Sequence, residues 1–598
     1  MAYLALSLQR RPRRLAILIA TVLCVSSLIP VSSYPTWTAP SSNAPLRRVV
    51  VHPTTGDIYV AGKDAIFQLA PSPLQTSRTA KTGPLSDNKG CFPRDWFSSQ
   101  SCFDNTIPTK IQSNFNQLLL LNESGDSVLT CGNLQAGTCN LRSASNVSTI
   151  SRSDEEIFKA GGFPAVEMIV VTRDEDSNSA GVISYDYLGR PALFLVTHMG
   201  ALSSVKPFEI SVRGMGYENL LQPLVGSINF PLDFPFDIIS AFGSGEFVYF
   251  VATDSSSAGG TLIARICRND QGMSRNTFYA YLEAYIECKG NSKTYKYMQS
   301  FYVGKVGTLL ASSVGNDDVL MGVFNEKIDG TGASALCVVS VPQINAKYKQ
   351  GLENCRNGIS GSRGFARDSL KPCIDTLRTL WDGTGCSPSV VDINLEIPSS
   401  DPILSSAFYE IPASPSGSLT AVTFTVAYST DTVAFAGKSD GTVDKIDVRT
   451  NSSSRLIRTL STSSSRRILS LELNPDRSVV YALSDSNLTA IPVQECNALT
   501  TCLDCLAAPD PFCGFCVPKL KCTELSKCQE SSSLLLQPSE CATLLTTPPP
   551  IITTPLPTQT PSPTSSGNMV LSSQFWCVKF FFVSVSAAAV AVFLFCLA

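Results

Sequence analysis

Histidine is almost missing from this chain: 598 residues hold two, His52 and His198. A hydrolytic triad or a histidine metal centre needs an imidazole with partners placed around it. Neither histidine has them in sequence, since His52 sits in a turn string and His198 ends the apolar run 192–197. Charge is also sparse, at 16% of residues with a formal net charge of −3. Such a surface repels a phosphate backbone, which excludes nucleic acid as a partner. Phosphate-cradling glycine motifs are absent. No catalytic residue, metal site or cofactor is therefore assigned.

What the chain has instead is turn formers and cysteine. It carries 38 Gly and 37 Pro among short apolar segments, which suits many strands and turns better than long helices. Eight of its 21 cysteines (Cys496, Cys502, Cys505, Cys513, Cys516, Cys522, Cys528 and Cys541) fall in 46 residues around Asp510-Pro511-Phe512-Cys513-Gly514-Phe515-Cys516. A segment that short and that rich in thiols cannot rely on a core and must be stapled by disulfides or metal.

The chain ends bear on which staple is used. Arg10, Arg11, Arg13 and Arg14 precede an apolar run from Leu15 to Ile29 and small residues at Ser32 and Ser33. Residues 1–33 thus read as a secretory signal peptide, with a membrane anchor as the other reading. At the other end, Ser565 and Ser566 precede a short spacer and an uncharged tail from Phe580 to Ala598, so residues 569–598 read as a C-terminal hydrophobic anchor signal. That order is expected for a glycosylphosphatidylinositol anchor on the outer face of the plasma membrane, the alternative being a single-pass helix. Without the signal and tail the formal charge goes from −3 to −8, and the cysteines from 21 to 18. Eighteen is even, as complete pairing requires, and it splits into ten between Cys91 and Cys386 and eight in the terminal cluster. Sequons at Asn122, Asn146, Asn451 and Asn487 are expected N-glycosylation sites.

Residues 546–566 form a Pro/Thr/Ser stalk that cannot pack a core. Ahead of the cysteine cluster, residues 36–492 repeat one unit: a strand of β-branched and aromatic residues, a turn, then an alternating strand. Copies lie at 56–69, 246–266, 432–448 and 478–493. Their presence at both extremes of the head fits a ring closed by its own ends, a β-propeller, better than a string of β-sandwiches. Seven blades would take roughly 65 residues each, above the ~40–45 of WD-type repeats, so insertions are expected, chiefly between Gln343 and Cys386.

These strings resemble the sema domain of plexins and semaphorins followed by a plexin-semaphorin-integrin (PSI) module. The resemblance rests on Val51-His52-Pro53-Thr54-Thr55-Gly56-Asp57-Ile58-Tyr59-Val60, Leu129-Thr130-Cys131-Gly132 with Gly137-Thr138-Cys139, Phe247-Val248-Tyr249-Phe250, Ala264-Arg265-Ile266-Cys267-Arg268-Asn269-Asp270 and the terminal cysteine spacing. The stretch from Ala335-Leu336-Cys337 to Cys386 is nearer to plexins. It implies an all-β fold, a seven-bladed propeller over 36–492 and a small disulfide-rich PSI module over 495–542. It also implies the pairs Cys91 with Cys102, Cys131 with Cys139, Cys267 with Cys386, Cys288 with Cys337, and Cys355 with Cys373. In the PSI module it implies Cys496 with Cys513, Cys502 with Cys541, Cys505 with Cys522, and Cys516 with Cys528. The competing reading of Cys502-x-x-Cys505 and Cys513-x-x-Cys516 is a zinc site, against which the seven residues between the pairs are short.

The implied function is recognition at the cell surface. The expected partner is an extracellular sema-containing ligand or receptor, with a homodimer as one form, and signalling would be modulated without a cytoplasmic effector of the chain's own. Partner-contacting residues are not assigned. Ser439-Asp440-Gly441-Thr442 reads as a hairpin turn rather than part of a sialidase-type box, and the acidic clusters Asp154-Glu155-Glu156 and Asp174-Glu175-Asp176 as solvated loops rather than calcium sites. The alternatives are an extracellular propeller enzyme such as a glycosidase, which needs two carboxylates across a pocket, or a structural coat protein.

Overall fold

The computed structural model describes residues 34–541 apart from 89–107, 154–170, 199–207, 216–221, 230–235, 256–258, 270–279, 359–361, 364–370, 373–392, 398–399, 414–416, 450–453, 508–509, 529–533 and the single positions 123, 136, 176, 187 and 464. Seven four-stranded antiparallel blades follow one another around an axis. Blade 1 runs from strand Leu46–Val51 to Leu74–Lys81, blade 2 from Asn116–Leu121 to Ile150–Ser153, and blade 3 from Ser179–Tyr185 to Gln222–Asn229. Blade 4 runs from Phe236–Ser244 to Ala280–Lys289, blade 5 from Tyr297–Gly304 to Ile403–Ile411, and blade 6 from Leu419–Ala427 to Arg455–Ser461.

Blade 7 is assembled from both ends of the head. Its strands Ser470–Leu473, Val479–Leu483 and Asn487–Pro492 are completed by Thr36–Thr38, with Thr36 opposite Thr489 and Trp37 opposite Leu488. Ring closure removes the long open edge that a linear array of blades would leave.

The four sequence repeats supply the two central strands of blades 1, 4, 6 and 7. These strands read as unbroken apolar runs because they are buried on both faces, with successive side chains pointing to opposite neighbours. In blade 1, Ile58 and Val60 pack toward blade 7, whereas Tyr59 and Ala61 pack toward blade 2. In blade 4, Val248 and Phe250 face blade 3 while Tyr249 and Val251 face blade 5. Seven apolar clusters result, one in each interface between adjacent blades. Burying each such Ile, Phe or Tyr contributes about 1.5–3 kcal/mol, so the ring is held by its interfaces.

Blades 4 and 5 are joined further. Their outer strands Ala280–Lys289 and Ile403–Ile411 pair in parallel, Ile286 opposite Ile403, and Cys288 is bonded to Cys337 across the same boundary. The helix Val341–Arg356 leaves the third strand of blade 5, capped by the Ser340 hydroxyl, and covers the boundary. Its Tyr348 hydroxyl donates to the Ile263 carbonyl at 2.7 Å. Arg265, from one of the sema-like strings, lies 4.0 Å from the Phe247 ring and 4.8 Å from that of Tyr348, and donates to Asn345. This helix occupies the start of the Gln343–Cys386 territory, and most of the remainder lies outside the described residues.

Beyond blade 7, a helix Cys502–Ala507 packs on a three-stranded sheet of Cys513–Cys516, Lys521–Glu524 and Leu534–Leu535. Among the described residues no helix is long and apolar enough to cross a membrane. Residues 1–33, the stalk at 546–566 and the tail at 569–598 lie outside the described residues, as do Ser565 and Ser566.

Candidate recognition surfaces and the joint beneath the propeller

The cysteine cluster closes on itself. Cys496 is bonded to Cys513, Cys502 to Cys541, Cys505 to Cys522 and Cys516 to Cys528, with Cα separations of 5.4, 5.9, 5.5 and 5.7 Å. All eight sulfurs are thereby used in disulfides. In the head, Cys131 is bonded to Cys139. Gly137, two residues earlier, has φ +74°, and a Cβ there would lie 2.2 Å from the Val171 carbonyl oxygen, so glycine is required. Cys267 and Cys355 are disulfide-bonded, while Cys91, Cys102, Cys373 and Cys386 lie outside the described residues.

The string Asp510-Pro511-Phe512 is where the small module meets blade 6. Lys445 donates to the Asp510 carboxylate at 2.5 Å, and the two side chains are 5% and 11% exposed. Its ammonium lies 5.2 Å from the Phe512 ring centroid and 6.0 Å from that of Phe435. Burial pushes the Lys445 pKa down, and Asp510 opposes that shift. Around this pair, Tyr428 donates to the Phe512 carbonyl, and Arg458 meets Glu495 at 2.7 Å. Tyr34 also donates to Glu495, at 3.2 Å. Phe512 completes the apolar cluster between blades 6 and 7. The joint is therefore a desolvated ion pair between aromatic rings.

The propeller axis holds a cavity of about 560 Å³ lined by the first strands of six blades. Each first strand starts on the face where the chain enters from the preceding blade. Arg467 and Asn178, which lie three residues and one residue ahead of the strands starting at Ser470 and Ser179, thus mark a mouth on the face opposite the joint. Side chains reach across this mouth between blades, including blades that are not neighbours. Arg467 donates to the Gln299 side-chain carbonyl at 3.0 Å, from the approach to blade 7 to blade 5. Arg48 of blade 1 donates to the carbonyls of Gln117 and Ser179 at 3.3 and 3.4 Å. The protein around them pushes both guanidinium pKa values down, and Asp237 counters this in each case. Deeper, Glu472 is half-buried on the cavity wall, and burial pushes its carboxyl up to about 7.

The histidines are structural in their contacts. His52 Nδ1 accepts from the backbone N–H groups of Thr54 and Thr55, and its Nε2 lies 2.6 Å from the Gly125 carbonyl oxygen. His198 Nδ1 lies 3.1 Å from the Ser177 hydroxyl, and burial lowers its pKa. Asp440 accepts from the Thr442 N–H and hydroxyl in the hairpin between two strands of blade 6, so the box-like string is a turn. No group of three or more His, Cys, Asp or Glu able to hold a metal occurs among the described residues. Asp154-Glu155-Glu156 and Asp176 lie outside them.

Of the sequons, Asn122 lies between blade strands with its side-chain amide donating to Ser124 and Asp126. Asn146 accepts from the Ser148 N–H in a loop of blade 2. Asn487 opens the third strand of blade 7, opposite Thr38, and its side-chain oxygen is buried. Asn451 lies outside the described residues. The axial arginines were not singled out by sequence. Arg47-Arg48 before an apolar strand was the available signal, and it reads equally as an exposed strand start.

Comparison with known proteins places these parts. Residues 298–475 match the Sema domain family model and residues 495–542 the Plexin repeat (PSI) model. The chain is 28% identical over 544 residues to Plexin-A4 of Danio rerio, covering 83% of this chain and 27% of that protein. It is 27% identical over 510 residues to Plexin-B2 of Mus musculus, covering 82% and 26%. The chain thus spans about a quarter of the length of these relatives. A structure of the Plexin A4 full extracellular region superposes with a TM-score of 0.72 at 23% identity, over 85% of this chain and 52% of that one. Drosophila Plexin A in complex with Semaphorin 1b gives 0.59 at 15% identity, over 86% and 98%.

Proposed function

We propose that this chain, a sema propeller seated on a PSI module, is a cell-surface recognition protein that binds a sema-type head or another cell-surface protein. The sema–PSI pair is the architecture of an extracellular recognition protein and not of an enzyme. The observation that carries the proposal is the joint. Lys445 and Asp510 fix the PSI module under blade 6, so loops and blade edges on the propeller are offered to a partner in one orientation. One of the structures of similar fold is a plexin bound to a semaphorin. A stable complex of this kind buries around 1,600 Å².

The same reading extends to the membrane. A lipid anchor at Ser565 or Ser566 after an extended stalk would hold the head away from the bilayer, and the chain would modulate semaphorin–plexin-like signalling as ligand, decoy or co-receptor subunit. Two experiments test it. The secreted head is applied to an array of sema and plexin ectodomains, and binding to at least one is expected; silence against all would remove the proposed partner class. Treatment of expressing cells with a phosphatidylinositol-specific phospholipase is expected to release the protein, and retention would restore the single-pass helix.

A further inference from the structure

The axial mouth opposite the joint carries Arg48 and Arg467. Among the described residues neither Arg48 nor Arg467 forms an ion pair; their donors meet carbonyl oxygens of Gln117, Ser179 and Gln299. Arg48 is half-buried, and a guanidinium drawn into protein is costly without an anion beside it, since a neutral carbonyl replaces only part of the lost hydration; Arg467 stands exposed at the mouth, open to an incoming ligand. Arg47 stands next in the chain on the same cavity and adds to the unfavourable field on Arg48.

The acids on the cavity wall, among the described residues, are Asp237 and Glu472. Asp237 is shared: its field reaches both Arg48 and Arg467, while its carboxylate is exposed and held by the Asn178 amide at 3.2 Å. Glu472 lies deeper on the cavity wall and, with its carboxyl near 7, carries only part of a charge at neutral pH. At about 560 Å³ the cavity is in the range of small-molecule sites, about 300–1,000 Å³, so there is room for a ligand and its water.

We propose that the axial mouth is an anion site, in which the guanidinium groups of Arg48 and Arg467 bind a phosphate or sulfate group of a small polyanionic ligand. Arginine suits this because its planar fork donates two parallel hydrogen bonds to one oxyanion. Bound there, the ligand would tie together blades 1, 3, 5 and 7, whose contacts across the axis now run through these two side chains.

The test is isothermal titration of the secreted head with inorganic phosphate, inorganic sulfate, inositol hexakisphosphate and a sulfated disaccharide, at matched ionic strength in chloride. Direct binding is measured because sulfate and phosphate stabilise any fold by exclusion. Saturable one-to-one binding is expected. It should weaken about tenfold or more in Arg467→Gln and tighten several-fold in Asp237→Asn, which removes the competing carboxylate while keeping an oxygen for Asn178. Binding of phosphorylated probes alone assigns a phosphate ester, and of sulfated probes alone a sulfate ester. No saturable binding by the wild-type head, or binding that neither substitution changes, overturns the proposal. The Asp237→Asn gain keeps the test decisive should Arg467→Gln disturb the ring.

Discussion

The propeller and the PSI module solve the same problem of stability by opposite means. Between each pair of blades the propeller buries a cluster of apolar side chains, and its disulfides, among them Cys131–Cys139, Cys288–Cys337 and those of Cys267 and Cys355, are spread over several hundred residues. Among its described residues the PSI module has Leu506 and Phe515 as its buried apolar side chains besides cysteines, and it has four disulfides in 46 residues. A ring of blades scales its buried area with every blade added, whereas a segment this short cannot, and constrains its unfolded state covalently instead.

The strongest way to break the comparison is reduction. Losing one native disulfide from a small secreted module costs about 2–5 kcal/mol. Cys505→Ser with Cys522→Ser is expected to unfold the PSI module, read as protease cleavage after residue 495, while the propeller keeps its own melting transition. A single shared transition would mean that the two regions do not differ as argued. Next is the joint. Lys445→Met leaves Asp510 buried without its cation, at a cost of about 3 kcal/mol. Adding Asp510→Asn should recover much of that, and thermal melts of the three variants check it.

The third test probes the propeller's polar axis. Glu472 has its carboxyl raised to about 7 in the fold against an ordinary 4.5. The folded state therefore holds a proton that the unfolded state releases, and stability falls as pH rises from about 4.5 through 7. Glu472→Gln should remove that slope and stabilise the head at pH 8 by on the order of 2 kcal/mol, measured by denaturant midpoints across pH. The smallest effect is at the blade 4–5 boundary. Tyr348→Phe loses its hydrogen bond to Ile263 but keeps the ring, an expected loss of about 1 kcal/mol in chemical unfolding.

How much of this could be read from residues depends on periodicity. The central strand pairs were legible because a strand buried on both faces must be apolar without interruption, as 58–62 and 247–251 are. Outer strands such as Leu74–Lys81 and Arg455–Ser461 are mostly exposed and polar, so they carry no such signal. Helix Val341–Arg356 was hidden for a related reason. Its buried Ile344, Tyr348 and Leu352 follow helical spacing within a stretch rich in Lys, Gln and Asn that reads as insertion.

The sequence by itself determined an all-β repeat architecture and a cysteine-stapled module after it, because burial on both faces and thiol density are local properties of the chain. It also marked Asp510-Pro511-Phe512 as distinctive without giving the reason. Tertiary structure decided what those residues touch: Lys445, 65 residues earlier, and Tyr428, 84 residues before Phe512, which no local spacing brings near. It likewise decided that Arg48 and Arg467, at opposite ends of the head, share one cavity. Ring closure is the cause of the second, since pairing Thr36–Thr38 with Asn487–Pro492 brings the two ends of the head together around one axis, whereas the first follows from the small module folding back onto blade 6.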